Sequence, residues 1–348
     1  MGKWRVVVVS LGILLVAGWP GTASGSAAPR TFWGVVNHGD AIDADFRNLE
    51  EGKVGSLRFL VPWDQVQPTP TRFEWAEIDQ VVAGAAASGV ELLPFPYGSP
   101  AWVEPEPGRP PIHSREDRDA WAVFLIELVR RYGPGGSFWA GHPDPAPIRR
   151  WQIWNEPNFN TYWRPRNDPA EYARLLRISA RTIRDVDPRG EIVLAGLAPV
   201  RDGELPWVYL RRLYREGSAK RYFDTAALST YAPDLEGIEF QIEKARAVMR
   251  RAGDARTRIA ITEIGWGSDG RGPLVKGLEG QARMLRRAFT RLESRRRALR
   301  LSELHWFALQ DAPTDPRFCD FCSHAGLFTE PREPKPSWRA FTEFTGAR

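Results

Sequence analysis

At 348 residues the chain can bury a large core, and a formal charge of +5 is mild for that length. Its positive charges gather in runs such as Arg211-Arg212, Arg286-Arg287 and Arg295-Arg296-Arg297. These read as solvated helix faces, not as a nucleic-acid footprint. In chain order, residues 1–28 read as a secretory signal: Lys3 and Arg5, an apolar run from Val6 to Ala17, then small residues through Ala28. The expectation is an exported protein, extracellular or associated with the cell envelope. The apolar run is shorter than the roughly 20 residues of a spanning helix, so an uncleaved anchor is the weaker alternative. From Arg30 onward, short apolar runs rich in β-branched or aromatic residues alternate with longer stretches of helical period. Strand candidates are Phe32 to Asn37, Ser56 to Val61, Glu91 to Pro96, Arg149 to Trp154, Glu191 to Gly196, Thr225 to Thr230, Arg258 to Thr262 and Glu303 to Leu309. Helical segments fall near Asp43 to Lys53, Glu77 to Ala87, Arg115 to Tyr132, Pro169 to Val186, Pro206 to Tyr214, Ile238 to Ala252 and Leu278 to Arg295, with a last one after Ser337.

Eight strand and helix pairs over this length predict an α/β chain folded as a single-domain (β/α)8 TIM barrel spanning 29–348. A doubly wound sheet is the alternative. It is disfavoured because Val36-Asn37-His38-Gly39-Asp40 offers one glycine where a phosphate-binding fingerprint needs three. The Pro- and Gly-rich patches at 104 to 111 and 133 to 147 read as loops, the first on the catalytic side of such a barrel and the second on the opposite side.

Two carboxylates carry the chemistry. Glu156 lies in Trp154-Asn155-Glu156-Pro157 at the end of the fourth strand candidate, and Glu263 follows Ile259-Ala260-Ile261-Thr262 at the end of the seventh. Barrel enzymes place reacting groups at the C-terminal ends of strands, so both glutamates are expected at one mouth. A facing acid and carboxylate are the minimum equipment for cleaving a glycosidic bond, and a retaining mechanism needs them only about 5 to 5.5 Å apart. An ionised Glu263 would raise the pKa of Glu156, keeping it protonated for the leaving oxygen.

Tryptophan is abundant, at 15 residues, and indole faces stack on the C–H faces of sugars. Trp63, Trp102, Trp163, Trp266 and Trp306 fall at expected mouth positions, with Trp266 and Trp306 the leading cleft candidates and core packing the alternative for each. Asn37 and His38 end the first strand, where sugar contact and a structural turn are both open. Arg58, in the second strand, would keep Glu263 ionised and oriented if it enters the mouth; a structural salt bridge is its other reading. Rival chemistries lack their residues. The five histidines, His38, His113, His142, His305 and His324, include no closely spaced pair of metal-ligand type, and no Gly-x-Ser-x-Gly elbow occurs. No metal or organic cofactor is expected. Cys319 and Cys322 first read as a local disulfide, with a zinc site using His324 and a redox dithiol as alternatives.

Asn-Glu-Pro ending the fourth strand and Thr-Glu-x-Gly-Trp ending the seventh resemble the clan of retaining (β/α)8 glycoside hydrolases that includes β-xylosidases and cellulase-like enzymes, family 39 above all. Arg58, the turn Val61-Pro62-Trp63-Asp64-Gln65-Val66-Gln67-Pro68 and Trp306 extend the resemblance over almost the whole chain. It implies that Glu156 is the acid/base, Glu263 the nucleophile and Asn155 the ligand of a sugar 2-hydroxyl, acting on an oligo- or polysaccharide. Leu228-Ser229-Thr230-Tyr231 departs from the His-x-Tyr stretch expected there. Tyr231 either replaces the His or is the Tyr that hydrogen-bonds the nucleophile. A barrel that binds glycans without cutting them is the competing reading, because fold alone does not give function.

Overall fold

The computed structural model describes residues 27–37, 42–216, 218–313 and 319–347. One sheet of eight parallel strands runs in the order β3-β2-β1-β8-β7-β6-β5-β4, with β3 and β4 lying side by side to bring the barrel near closure. The strands are β1 (Trp33–Asn37), β2 (Ser56–Pro62), β3 (Glu91–Tyr97), β4 (Arg150–Ile153), β5 (Glu191–Leu194), β6 (Thr225–Thr230), β7 (Arg258–Ile264) and β8 (Leu301–Trp306). The helices are α1 (Asp43–Glu51), the short α2 (Trp63–Val66), α3 (Ala76–Ala87), α4 (Arg115–Tyr132), α5 (Pro169–Val186), α6 (Pro206–Leu213), α7 (Leu235–Arg251), α8 (Leu278–Leu299) and α9 (Pro336–Thr345). This is the (β/α)8 barrel that the strand count predicts. The largest differences are at β8, which starts two residues before Glu303 and stops at Trp306, and at α8, which runs on to Leu299. Of the expected secretory segment, residues 1–26 lie outside the described residues; Ala28 donates its N–H to Glu293 on α8. Among the described residues no helix is long and apolar enough to cross a membrane.

Local chemistry sets the helix starts. Ser114 and Asp117 form a reciprocal capping box at α4, Asp168 accepts the Ala170 N–H at 2.7 Å with Pro169 opening α5, and Asp234 accepts the Gly237 N–H at 2.9 Å at α7. Each cap satisfies a donor that the first helical turn would otherwise leave open.

The barrel interior is unusually polar. Leu93, Val193, Ala227 and Ala260 make one small apolar layer, while Ser56, Arg58, Gln152, Glu303 and His305 are also buried. Arg150 and Glu303 pair through two hydrogen bonds of 2.7 and 2.6 Å, and His305 Nε2 lies 3.1 Å from Ser56 Oγ. Glu303 shows the balance of forces: burial alone pushes its pKa up, but the Arg150 charge and hydrogen bonds bring it below the usual carboxylate range. One link crosses from the helical layer into the sheet. Tyr172 on α5 donates its hydroxyl to Ile153 O at 2.9 Å and accepts the Ala195 N–H at 2.7 Å, beyond the last β4–β5 pair, Ile153 and Leu194.

Candidate active site

Residues on or just after β2, β3, β4, β6 and β7 converge at one mouth. Arg58 sits on β2 with 1% of its surface exposed and donates three hydrogen bonds: Nε to Gln152 Oε1 at 2.8 Å, Nη1 to Glu263 Oε1 at 2.7 Å and Nη2 to Asn155 Oδ1 at 2.9 Å. Its guanidinium lies 4.0 Å from the centroid of the Phe95 ring on β3, which supplies an apolar floor and a cation–π contact. One planar fork thus fixes residues of β4 and β7 relative to each other. The other oxygen of Glu263, Oε2, accepts the Tyr231 hydroxyl at 2.5 Å. Both donors suit an ionised carboxylate, which is acceptor-only. Burial, and after it the neighbouring Glu263 charge, push the Tyr231 pKa well up, so Tyr231 stays neutral and remains a donor.

Sheet irregularities help to place Glu263. Along the β6–β7 ladder Leu228 pairs with Ile261 and Ser229 with Glu263, so Thr262 is skipped. An inserted residue of this kind bends the strand and re-aims the side chains beyond it. Glu156 is placed differently. Trp154 and Glu156 have φ of 72° and 35°, a left-handed region that non-glycine residues occupy at a cost of about 1 to 3 kcal/mol each. The turn is held by Gln152 Nε2 donating to Trp154 O at 3.1 Å, Trp154 Nε1 donating to Tyr162 O at 2.7 Å and the Phe159 N–H donating to Glu156 O at 2.9 Å.

Glu156 and Glu263 are each 7% exposed. The Glu156 pKa is driven well above the ordinary carboxylate range, first by burial and then by the charge of Glu263, against an opposing pull from Arg58. The Ser229 hydroxyl also opposes the rise, although its geometry falls short of a full hydrogen bond. The result is a proton-bearing acid beside a carboxylate held by two donors. Such a pair can protonate a leaving oxygen and attack the adjoining carbon.

The aromatic lining differs from the expectation. Trp63, Trp266 and Trp306 are fully buried members of the main core, as is Trp163. Trp63 Nε1 donates to Gln67 Oε1 at 2.8 Å while its ring packs edge-on to Trp121 and stacks with Phe124. Trp266 donates to Ala232 O at 2.8 Å and Trp306 to Ala325 O at 2.9 Å, and their rings pack together at 6.0 Å. Their faces are spent on packing, so the roles expected of them as sugar platforms are corrected. Trp102 is partly exposed, with Nε1 tied to Gln67 O at 3.0 Å. Tyrosines and phenylalanines take the mouth instead. Tyr162 has its pKa raised by burial and then by the charges of both glutamates; Tyr97, ending β3, packs against Trp154 and Tyr162. Phe307 and Phe321 pack edge-on against Tyr231. Tyr97 was legible as a strand-end aromatic; nothing local marks Tyr162, which reaches the pair from the loop after β4.

Asn37 closes β1 and is partly buried, and His38 lies outside the described residues. Cys319 and Cys322 form a disulfide whose short loop carries Phe321. That bond uses both thiols that a zinc site with His324 would need. Lys335 braces the same region, donating to Asp311 Oδ1 at 2.6 Å, Ser268 Oγ at 2.8 Å and His324 O at 3.2 Å.

No family model matches the chain, and no curated protein matches it. Solved structures do. A family 39 glycoside hydrolase from the gut symbiont Bacteroides cellulosilyticus WH2 aligns at a TM-score of 0.68 and 20% identity over 91% of this chain and 64% of its own. A monomeric beta-xylosidase from Caulobacter crescentus CB15 aligns at 0.63 and 18%, covering 91% of this chain and 68% of the other. A GH5_18 protein from Streptomyces cattleya, solved with Manb1-4GlcNAc, aligns at 0.63 and 16%, covering 87% and 74%. The chain therefore spans about two thirds of the length of the first of these, and it shares its (β/α)8 architecture with solved glycoside hydrolases of families 39 and 5.

Proposed function

We propose that the chain is a retaining glycoside hydrolase that cleaves a β-linked oligo- or polysaccharide by double displacement. The observation that carries this reading is the division of labour at the mouth: Arg58 and Tyr231 each donate to Glu263, while burial and that same carboxylate push the Glu156 pKa well up. In the first step Glu156 gives its proton to the glycosidic oxygen. Glu263 attacks the anomeric carbon, the bond to the leaving sugar breaks and a glycosyl ester forms. Having given up its proton, Glu156 stays ionised because the Glu263 charge is gone. It then takes a proton from water, whose oxygen attacks the anomeric carbon and releases Glu263 as a carboxylate. Asn155, held by Arg58 Nη2, is assigned to the sugar 2-hydroxyl, where hydrogen bonding strengthens in the transition state.

The likeness in fold to a beta-xylosidase and to a GH5_18 protein solved with Manb1-4GlcNAc favours β-linked substrates. Export is part of the proposal. It is supported by the charged and apolar pattern of residues 1–28 and by the Cys319–Cys322 disulfide, a bond that persists in oxidising compartments. N-terminal sequencing of protein recovered from the culture medium tests it, and intact Met1 in a cytosolic pool would reject it.

The activity is tested with a panel of 2,4-dinitrophenyl β-glycosides and polysaccharides, following products by NMR. Glu263→Gln should abolish turnover with the fold intact, and the first-formed product should keep its anomeric configuration. An inverted product, or near-native rates in Glu263→Gln, would overturn the assignment.

A further inference from the structure

Ser229 lies on β6 fully buried, directly across the ladder from Glu263. Its Oγ has no hydrogen-bond partner among the described residues, a costly state for a buried hydroxyl. Space has nevertheless been kept for it. Gly196, just after β5, packs so closely that an added Cβ would stand 2.5 Å from Ser229 Oγ and 2.5 Å from Thr262 Oγ1. Thr262 is served elsewhere, donating to Leu228 O at 3.2 Å, whereas the Ser229 hydroxyl rests beside the Glu156 carboxyl.

The groups facing Glu156 are Glu263 from β7, Arg58 from β2, Tyr231 just after β6 and Tyr162 from the loop after β4. The Tyr231 hydroxyl is already directed to Glu263, and the Arg58 donors are directed to Gln152, Glu263 and Asn155. The Ser229 hydroxyl, fully buried, keeps a proton without an acceptor among the described residues. While Glu156 is protonated, a second hydroxyl beside it gains little. When Glu156 ionises, an uncommitted O–H becomes a charge-assisted donor.

We propose that Ser229 is a positioning residue for Glu156 that closes a hydrogen bond to it in the half-reaction where Glu156 acts as base. This rests on the glycosidase reading above. In the glycosyl ester, Glu263 carries no charge, and Ser229 stabilises the Glu156 carboxylate as it draws a proton from water. The water oxygen bonds to the anomeric carbon and the ester C–O bond breaks, returning its electron pair to Glu263.

Ser229→Ala separates the two half-reactions. On whichever 2,4-dinitrophenyl β-glycoside the wild type cleaves, the good leaving group makes the second step rate-limiting. There kcat should fall about tenfold while kcat/KM stays within about twofold, so KM falls too. The alkaline limb of kcat/KM, which follows Glu156, should move up by about half a unit to one unit because a donor to the ionised form is lost. A carbon-13 NMR titration of labelled glutamates, with Glu156→Gln to identify the resonance, should show the same upward movement without substrate. Ser229→Thr keeps the hydroxyl and should recover the wild-type limb; Ser229→Cys, similar in size with a weaker donor, should fall between. Equal losses in kcat and kcat/KM with an unmoved titration would overturn the proposal, and so would no change in either. Wild-type protein that cleaves no glycoside, while its Glu156 titration still moves in Ser229→Ala, would reject the activity and leave the contact standing.

Discussion

Arg58 Nη1 stands 2.7 Å from Glu263 Oε1, and neither residue has more than a sliver of surface in contact with solvent. The pair is also the centre of the mouth, because the same guanidinium reaches Gln152 and Asn155. Arg58→Lys keeps the charge but loses the fork that serves three acceptors at once. We expect kcat to fall about a hundredfold on every substrate, because small displacements of reacting groups are that costly. Steady-state kinetics beside a thermal melt would check it; wild-type kcat in a folded Arg58→Lys protein would contradict the role.

Tyr231→Phe removes one hydroxyl from Glu263 Oε2 and little packing, since Phe307 and Phe321 would still meet the ring. Turnover should drop about ten- to hundredfold with the melting temperature within a few degrees of wild type. A large loss of stability without a loss of kcat would mean that the hydroxyl is structural.

Because the folded-state pKa of Glu156 is raised, its contribution to stability is fully present below the unfolded carboxyl value of about 4.3 and is lost as pH rises through the folded value. Glu156→Gln removes the group that resists ionisation. The variant should therefore melt higher than wild type at neutral and alkaline pH, with the gap closing toward pH 4. Melting curves across that range decide it, and a gap that widens in acid would reverse the sign.

His305 behaves oppositely at the other end of the scale. Burial holds its pKa down to about 4, so the neutral ring is the folded form. Protonation favours the unfolded chain, and stability should decline as pH falls from about 6.5 to about 4, by on the order of 3 kcal/mol. Denaturant unfolding of His305→Gln should be flatter over that window than wild type.

The correction to the tryptophans is itself testable. Trp266→Ala should cost about 3 to 5 kcal/mol of stability, as expected for emptying a packed core position. Tyr97→Ala, at the mouth, should raise KM while the protein stays folded. Kinetics and melting of the two variants side by side would expose a swapped assignment.

Much of the fold was legible because hydrophobic period is a local property. The boundaries of α4, α5 and β6 coincide with those expected, and Ser114, Asp168 and Pro169 mark helix starts in the chain itself. The convergence of Glu156 and Glu263 followed from strand order, which a count of βα units provides. The direction of a side chain beyond a strand end was not legible. Gly265-Trp266 and Trp306 read as mouth residues, yet the chain turns both rings into the layer between sheet and helices, where Gln281 donates to Trp266 O at 2.9 Å. Such turns depend on partners dozens of residues away, and the same holds for Tyr162 and for the unpartnered Ser229.

Tyr172 belongs to a helix, yet its hydroxyl acts as a rung of the sheet, bridging Ile153 O and Ala195 N where the β4–β5 ladder has run out. The acid's strand is thereby pinned from outside the barrel, one residue before the left-handed turn at Trp154 begins. The height at which Glu156 meets a substrate is thus set partly by how α5 seats against the sheet. A substitution on that helix, far from any sugar, can retune the proton donor without touching the mouth.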